Sequence, residues 1–347
     1  MTGPDGIVTG PDGGMIRPAG GVTGPAGGAV SVVVMTHNRR AEVCRTLRRM
    51  TALPERPPLV VVDNGSRDGT ADAIRREFPA RCFPHLDLVA CPTNLGAVAR
   101  NVGAARVATR YVAFCDDDTW WEPGALGRAA AMLDAHPRLA AVTGRILVEP
   151  DGREDPITPE LRHSPVPAPP GLPGPALVSV LAGASMLRVS AFVEVGGFSA
   201  RLWLGGEEEL LSLDLAARGW WLCWAEEVVV RHAPSARRDP RRRRQLGIRN
   251  TLWTTWLRRP APAALRRTAA LLRVVPRDLA TLAAVAEAVR GLPWVLRERR
   301  VLPPAVETAV RSVEHTQLRS PARRYVDSAS AARPGRPPPG DPPRAAK

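Results

Sequence analysis

Lysine is almost missing from this chain. Of its 48 cationic residues 47 are Arg and one is Lys347, in 347 residues with a formal net charge of +14. Arg suits bidentate contact with phosphate, but so complete a bias reads as genome composition rather than as a site. Cysteine is sparse: Cys44, Cys82, Cys91, Cys115 and Cys223 are scattered, odd in number and form no CxxC. That excludes a readable zinc knuckle or disulfide framework and fits a reducing compartment. No apolar run reaches the length of a membrane span; the nearest, Leu279–Val289, is interrupted by Thr281 and Glu287. The first residues carry neither a basic region nor a hydrophobic core, so no signal peptide is expected. A soluble, cytoplasmic chain is the expectation, with surface contact with a membrane left open.

With 44% apolar residues, the chain can bury one large domain or two modest ones. Its charge is uneven. Residues 231–300 hold 18 Arg against Asp239, Asp278, Glu287 and Glu298, a surplus of 14 that equals the charge of the whole chain. This speaks for one basic segment on an otherwise balanced domain and against a surface coated for nucleic acid.

Residues 1–28 repeat TGPDG-like units and read as a disordered leader; the Pro- and Arg-rich stretch 316–347 reads as a disordered tail. Between them strands and helices alternate. The β-branched run Ala29–Met35 predicts a buried strand, and Arg39–Met50 a helix. The same alternation gives a strand at Leu59–Val62, a helix at Asp68–Phe78, a strand at Leu86–Ala90 and a helix at Gly96–Ala108. A strand at Arg110–Cys115 and a helix at Glu122–Ala135, with Pro123 in its first turn, follow. The Pro-rich stretch Glu149–Pro175 is expected to be a functional loop or merely disordered. A helix at Glu207–Ala217, a strand at Trp220–Val230 and basic helices broken by Pro260, Pro262, Pro276 and Pro293 complete the pattern. Such alternation specifies an open α/β sheet with its ligand outside the carboxyl ends of the strands.

Five constellations carry chemistry. Asp116–Asp117–Asp118 close an apolar strand, and three adjacent carboxylates call for a cation. Oxygen ligands select Mg²⁺ or Mn²⁺ over zinc; a capped acidic turn is the bland alternative. Asp63, ending VVVD before Asn-Gly-Ser, suits a base or ribose, or else a simple turn. The turn is not GxGxxG and lends no support to nicotinamide binding. Arg100, one turn into a helix opened by Gly96, can clamp a diphosphate or sit on the surface. Glu207–Glu208–Glu209 after Gly205–Gly206 favour a helix N-terminus, and one of them can be a general base. His232 can join Asp118 around a metal or be structural.

The order of these motifs resembles the family 2 glycosyltransferases. MTHNRR, DNGSRDGT, NLGAVARN, DDDT, GASMLRVSAFVEVGGF, GGEEELLSLDLAARGW and VVVRHAP occur in the family's sequence over roughly residues 29–235. The resemblance implies an α/β fold of GT-A type, a Rossmann-like open mixed sheet flanked by helices. A helical basic extension would follow over 236–315. It implies metal-dependent, inverting transfer of a sugar from a nucleotide-diphosphate donor to a hydroxyl acceptor, with a lipid-linked glycan among the candidates. By it, Thr36, Asn38, Asp63, Gly96, Arg100, Asn101 and Asp117 would lie against the nucleotide or its diphosphate. Asp116, Asp118 and His232 would hold Mg²⁺ or Mn²⁺. Glu208 would be the base, standing where the family commonly has Asp, with Glu207 or Glu209 as substitutes. Gln245 is present without the Trp of the processive members' Q-x-x-R-W motif, so a single addition is implied. Arg249–Asn250 resemble a pair in soluble members, with diphosphate contact or helix packing as its role. No nucleic acid is expected as partner, and the basic segment is a candidate for peripheral membrane contact. A nucleotidyl- or phosphotransferase, and a non-enzymatic adaptor for anionic lipid or nucleic acid, are the rival classes.

Overall fold

The computed structural model describes residues 28–234 and 240–319; the leader through residue 27 and the tail from residue 320 lie outside them. Nine strands form one mixed sheet: β1 (Val30–Thr36), β2 (Leu59–Asp63), β3 (Leu86–Ala90), β4 (Tyr111–Asp116), β5 (Thr119–Trp121), β6 (Leu139–Val148), β7 (Arg153–Glu154), β8 (Ser185–Arg188) and β9 (Trp221–His232). Their order is β3-β2-β1-β4-β8-β6-β9-β5, with β7 on β6. The first four run parallel; β8 is antiparallel to both β4 and β6.

Alternation along the strands builds the layers. Val32, Val34 and Val61 face one side of the sheet, where they meet Val43, Leu47 and Met50 of α1 (Arg40–Thr51). Val33, Val60 and Val62 face the other. The first side also holds Leu126, Ala129 and Leu133 of α4 (Ala125–Ala135), with α2 (Thr70–Glu77) alongside through Ile74. The second holds Ala99 and Ala104 of α3 (Ala99–Ala104) and Phe192 of α6 (Val189–Glu194). Gly96–Val98 form a 3₁₀ turn before α3, so the helix expected to begin at Gly96 is shorter and tighter at its start.

Two expectations are corrected, and one strand is added. The helix expected from Glu122 begins at Ala125, because Gly124 takes a left-handed φ of 78° and residues 119–121 pair as β5 with β9, leaving Pro123 outside. The stretch Glu149–Pro175 is an ordered loop, not a disordered one. It carries β7 and α5 (Thr158–Arg162) and is tied down by Arg162, which donates to Glu154 and Glu226. Strand β6, ten residues long and central to the sheet, was not anticipated; Gly144 and Arg145 interrupt its apolar run.

Helix α7 (Glu207–Ala217) joins the sheet to the helices that follow. Leu211 and Leu215 enter the sheet core, Leu210 packs with Ile248, Leu252 and Leu257, and Leu213 packs with Leu302, Val310 and Val313. A helix apolar on all these sides belongs inside. The helices around it are α8 (Pro240–Arg258), α9 (Ala261–Val274), α10 (Leu279–Arg290), α11 (Leu292–Arg297) and α12 (Pro304–Arg319). The prolines punctuate them as expected: Pro260 and Pro276 stand outside helix ends, while Pro262 and Pro293 occupy first turns.

Candidate active site

Parallel register brings the carboxyl ends of β1, β2 and β4 to one edge: Thr36 pairs with Asp63, and Met35 with Asp116. The loops leaving that edge carry the polar residues. Asn64, buried, donates to the Asn94 side chain at 3.1 Å and to the Gly96 carbonyl at 3.0 Å, and accepts from the Leu95 amide. Asp63 accepts from the Ser66 amide at 3.0 Å, and Asn38 accepts from the Arg67 amide at 2.8 Å. These bonds shape a cavity of about 300 Å³ lined by His37, Asn38, Gly65, Arg67, Pro92, Thr93 and Asn94.

The acidic triplet lies beside it. Asp117 accepts from the Thr36 hydroxyl at 3.1 Å, and Thr46 donates to its carbonyl at 2.8 Å. Arg39 reaches both Asp117 and Asp118, at 3.1 and 3.0 Å. Burial, countered by Arg39 and reinforced by Asp118 and Asp116, pushes the Asp117 carboxyl up to about 7. Arg39 was not singled out in the sequence; the RR after MTHN was its only trace.

Asp116 takes a different cation. Arg100, buried on α3, donates to Asp116 at 2.6 Å and stands 3.8 Å from Glu207 at the start of α7. Burial works against its charge, but Asp116, Glu207 and Glu208 outweigh it and hold its pKa up. Arg100 thus ties the triplet to the glutamates, Asp116 and Glu207 standing 91 residues apart in the chain.

The glutamates separate clearly. Glu209 turns to Arg267 of α9, at 3.4 Å. Glu207 is buried beside Arg100. Glu208 accepts from the Ala182 amide at 2.5 Å and remains half-buried at the cleft. Burial first, then repulsion from Glu207, pushes its carboxyl up to about 7, against the pull of Arg100. Burial raises Glu207 too. The helix opens after Gly205 and Gly206, both with left-handed φ near the range only glycine adopts freely, 88° and 86°. Asn250 fixes that turn by donating to the carbonyls of Leu202, Leu204 and Gly205. Arg249 donates to Leu202 and to Glu287. The Arg249–Asn250 pair is therefore occupied with packing the loop and helix. Asn101 is likewise occupied: its side chain donates to the Phe198 carbonyl at 2.8 Å and accepts from the Phe198 amide at 2.9 Å.

Gly96 has a φ of 66°, and a Cβ there would come within 2.2 Å of the Trp203 carbonyl. Trp203 itself holds a left-handed φ of 63°, strained for so bulky a residue, and its carbonyl accepts from the Ala97 amide at 2.6 Å. Sequence pattern gave no sign of this contact between the nucleotide-side turn and the loop before α7.

Among the described residues no group of three or more His, Cys, Asp or Glu converges as a metal cage. His232, at the end of β9, holds Nε2 at 3.7 Å from Asp118 Oδ1, and its Nδ1 at 3.8 Å from Asp155 Oδ2. That span is long for a hydrogen bond and suits two ligands flanking one ion at about 2.0–2.2 Å from each. Mg²⁺ is commonly held by one or two carboxylates plus phosphate oxygens and water, a role that Asp118 suits by its chemistry.

Comparison with known proteins agrees with this architecture. Residues 31–196 match the family model described as Glycosyl transferase family 2. The chain is similar to N-acetylglucosaminyl-diphospho-decaprenol L-rhamnosyltransferase of Mycobacterium tuberculosis, 29% identical over 246 residues that cover 60% of this chain and 78% of the relative. It is also similar to the putative teichuronic acid biosynthesis glycosyltransferase TuaG of Bacillus subtilis, 30% identical over 127 residues, 35% of this chain and 49% of TuaG. The fold matches the mannosyltransferase PcManGT of Pyrobaculum calidifontis, solved with GDP-Man and Mn²⁺. The TM-score is 0.52 at 21% identity, over 83% of this chain and 75% of that one. Over the matched residues 31–196 the chain is similar to the family 2 glycosyltransferases, and the relatives and the fold support that family. The chain is a nucleotide-sugar-dependent glycosyltransferase with a sheet of GT-A type.

Proposed function

We propose that the chain transfers a single sugar, with inversion, from a nucleotide-diphosphate donor to a hydroxyl of a lipid-linked glycan, using Mg²⁺ or Mn²⁺. One observation carries this: Arg100 joins Asp116 to Glu207, so one buried cation holds the triplet at the sheet edge and the start of the glutamate helix together. Mn²⁺ in the PcManGT complex and the decaprenol-linked substrate in the mycobacterial relative's name support the metal and the acceptor. Five free cysteines fit a cytoplasmic setting.

The nucleotide would sit in the cavity, its base and ribose near Asn38 and Asp63, with Thr36 and Gly96 shaping the floor and Asp117 held between Thr36 and Arg39. Asp118 and His232 would hold the cation, with Asp116 beside them. When bound there, a divalent cation would supply charge neutralisation for the departing diphosphate, a contribution often worth several kcal/mol. Arg100 adds positive charge fixed in place. Glu208 takes the proton of the acceptor hydroxyl as that oxygen bonds to the anomeric carbon and the bond to the diphosphate oxygen breaks. A carboxyl that titrates near 7 is matched to accept a proton near neutral pH. Asn101 serves as a staple for the turn at Phe198.

Glu208→Gln tests the assignment. Release of nucleoside diphosphate in the presence of acceptor should fall at least about a hundredfold while donor affinity is kept. Turnover within a few-fold of the parent would remove Glu208 as the base. Asp118→Asn should lose the thermal stabilisation that Mn²⁺ adds to the nucleoside diphosphate complex, a readout independent of turnover.

A further inference from the structure

The exposed large hydrophobics of the described residues are confined to one stretch. Leu265, Leu272, Val274, Leu279, Leu282, Val289, Leu296 and Val301 all lie on α9, α10, α11 and their connections. Leu279 is 72% exposed and Leu282 65%. Their spacing is helical: Leu265 and Leu272 are seven apart on α9, and Leu279, Leu282 and Val289 follow one face of α10, with half-buried Ala286 between the last two. The opposite face of α10, through Ala280, Ala284 and Ala288, is buried.

Exposed Arg266, Arg273, Arg277, Arg290, Arg297 and Arg300 are interleaved with these side chains. The acids of the same stretch are engaged elsewhere. Asp278 caps α10 at the Thr281 amide and pairs with Arg244, Glu287 pairs with Arg249 and Gln245, and Glu298 pairs with Arg201. Apolar side chains flanked by six exposed Arg, against two exposed acids, Asp278 and Glu298, that are both paired, suit a helix surface that lies in the interface of an anionic bilayer. No described helix is long and apolar enough to cross one.

We propose that the outer face of α9–α11 docks on an anionic phospholipid bilayer and so holds the active site at its lipid-linked acceptor; the inference rests on that acceptor assignment. The coupling is physical. Arg267 of α9 contacts Glu209 on the catalytic helix, and Asn250 of α8 fixes the loop before Glu207. A surface seated on lipid therefore sets the position of α7 as a rigid body.

The test is co-sedimentation of the full chain with vesicles of phosphatidylcholine alone or with 30 mol% phosphatidylglycerol, near 0.1 M salt. Binding should need the anionic lipid, weaken as salt is raised, and fall at least tenfold in Leu282→Glu/Val289→Glu and in Arg273→Gln/Arg290→Gln. Turnover with a water-soluble acceptor should be unchanged in both, which also shows that they fold. Absence of parent binding to the anionic vesicles overturns the proposal. So does a parent dimer that Leu282→Glu/Val289→Glu dissociates while lipid binding persists, since the face would then serve a second copy. Vesicle binding without sugar transfer to any lipid-linked acceptor would sink the acceptor assignment and leave the docking face standing.

Discussion

Glu208→Gln should make the protein more stable as well as inactive, and the gain should depend on pH in a stated direction. The Glu208 carboxyl titrates near 7 in the folded state instead of at its ordinary 4.5. A carboxyl raised in this way binds its proton more tightly when folded than when unfolded. The folded state therefore loses stability as pH rises from about 4.5 to about 7, and the loss stays constant above that. The full penalty is about 3 kcal/mol, from about 1.4 kcal/mol for each tenfold change in proton affinity. Part of it comes from Glu207, so the two protons leave as a pair and 3 kcal/mol is a ceiling. Glutamine removes the charge and keeps an oxygen to accept from the Ala182 amide. At pH 8 the variant should gain up to about 3 kcal/mol, and at pH 4.5 almost nothing. Urea denaturation followed by tryptophan fluorescence at several pH values measures this, nine tryptophans providing the signal. A variant no more stable than the parent at pH 8, or equally stabilised at every pH, would refute the claim that burial and Glu207 hold this carboxyl up.

The opposite substitution class follows from Arg100. Arg100→Met leaves Glu207 buried without its cation and should cost about 3–5 kcal/mol at pH 8. Since Arg100 lowers the pKa values of Glu207 and Glu208, its removal raises both further, so the loss should shrink toward pH 5 as they protonate; thermal unfolding across that range would reveal a pH-independent loss if the pairing were unimportant. Gly96→Ala must place a methyl against the Trp203 carbonyl at a left-handed φ, which should cost more than about 2 kcal/mol and weaken nucleoside diphosphate binding, read by denaturation and calorimetry; unchanged affinity would separate that turn from the donor site.

Much of this was legible because the chemistry sits where strands end. Thr36, Asp63 and Asp116 each close an apolar run, and a parallel sheet aligns such ends without further information. The glutamates were legible as a helix start after two glycines. What stayed hidden depends on contacts remote in sequence. Nothing local marks Arg39 as the partner of Asp117 and Asp118, or distinguishes Glu208, which accepts from Ala182, from Glu209, which is drawn off to Arg267. The resemblance puts Asn101 near the nucleotide and leaves Asn250 open between diphosphate contact and helix packing; in the structure both donate to backbone carbonyls. Strand β6 escaped because Gly144 and Arg145 interrupt its pattern; Gly144 is required there, since a Cβ would meet the Val228 carbonyl at 2.5 Å.

Helix α7 shows how such a site survives its own charge. It begins with three carboxylates, two of them raised by burial, an arrangement that costs stability at neutral pH. Four leucines of the same helix work the other way: Leu210, Leu211, Leu213 and Leu215 are each buried, in three separate clusters, and each contributes roughly 1.5–3 kcal/mol. That sum exceeds the penalty at the N-terminus, so the glutamates can be held partly dehydrated without unwinding the helix. The same leucines bind the sheet on one side to α8–α12 on the others. On the proposed docking of α9–α11, packed side chains would carry a displacement of that face to the end of α7 that holds Glu208, the proposed base.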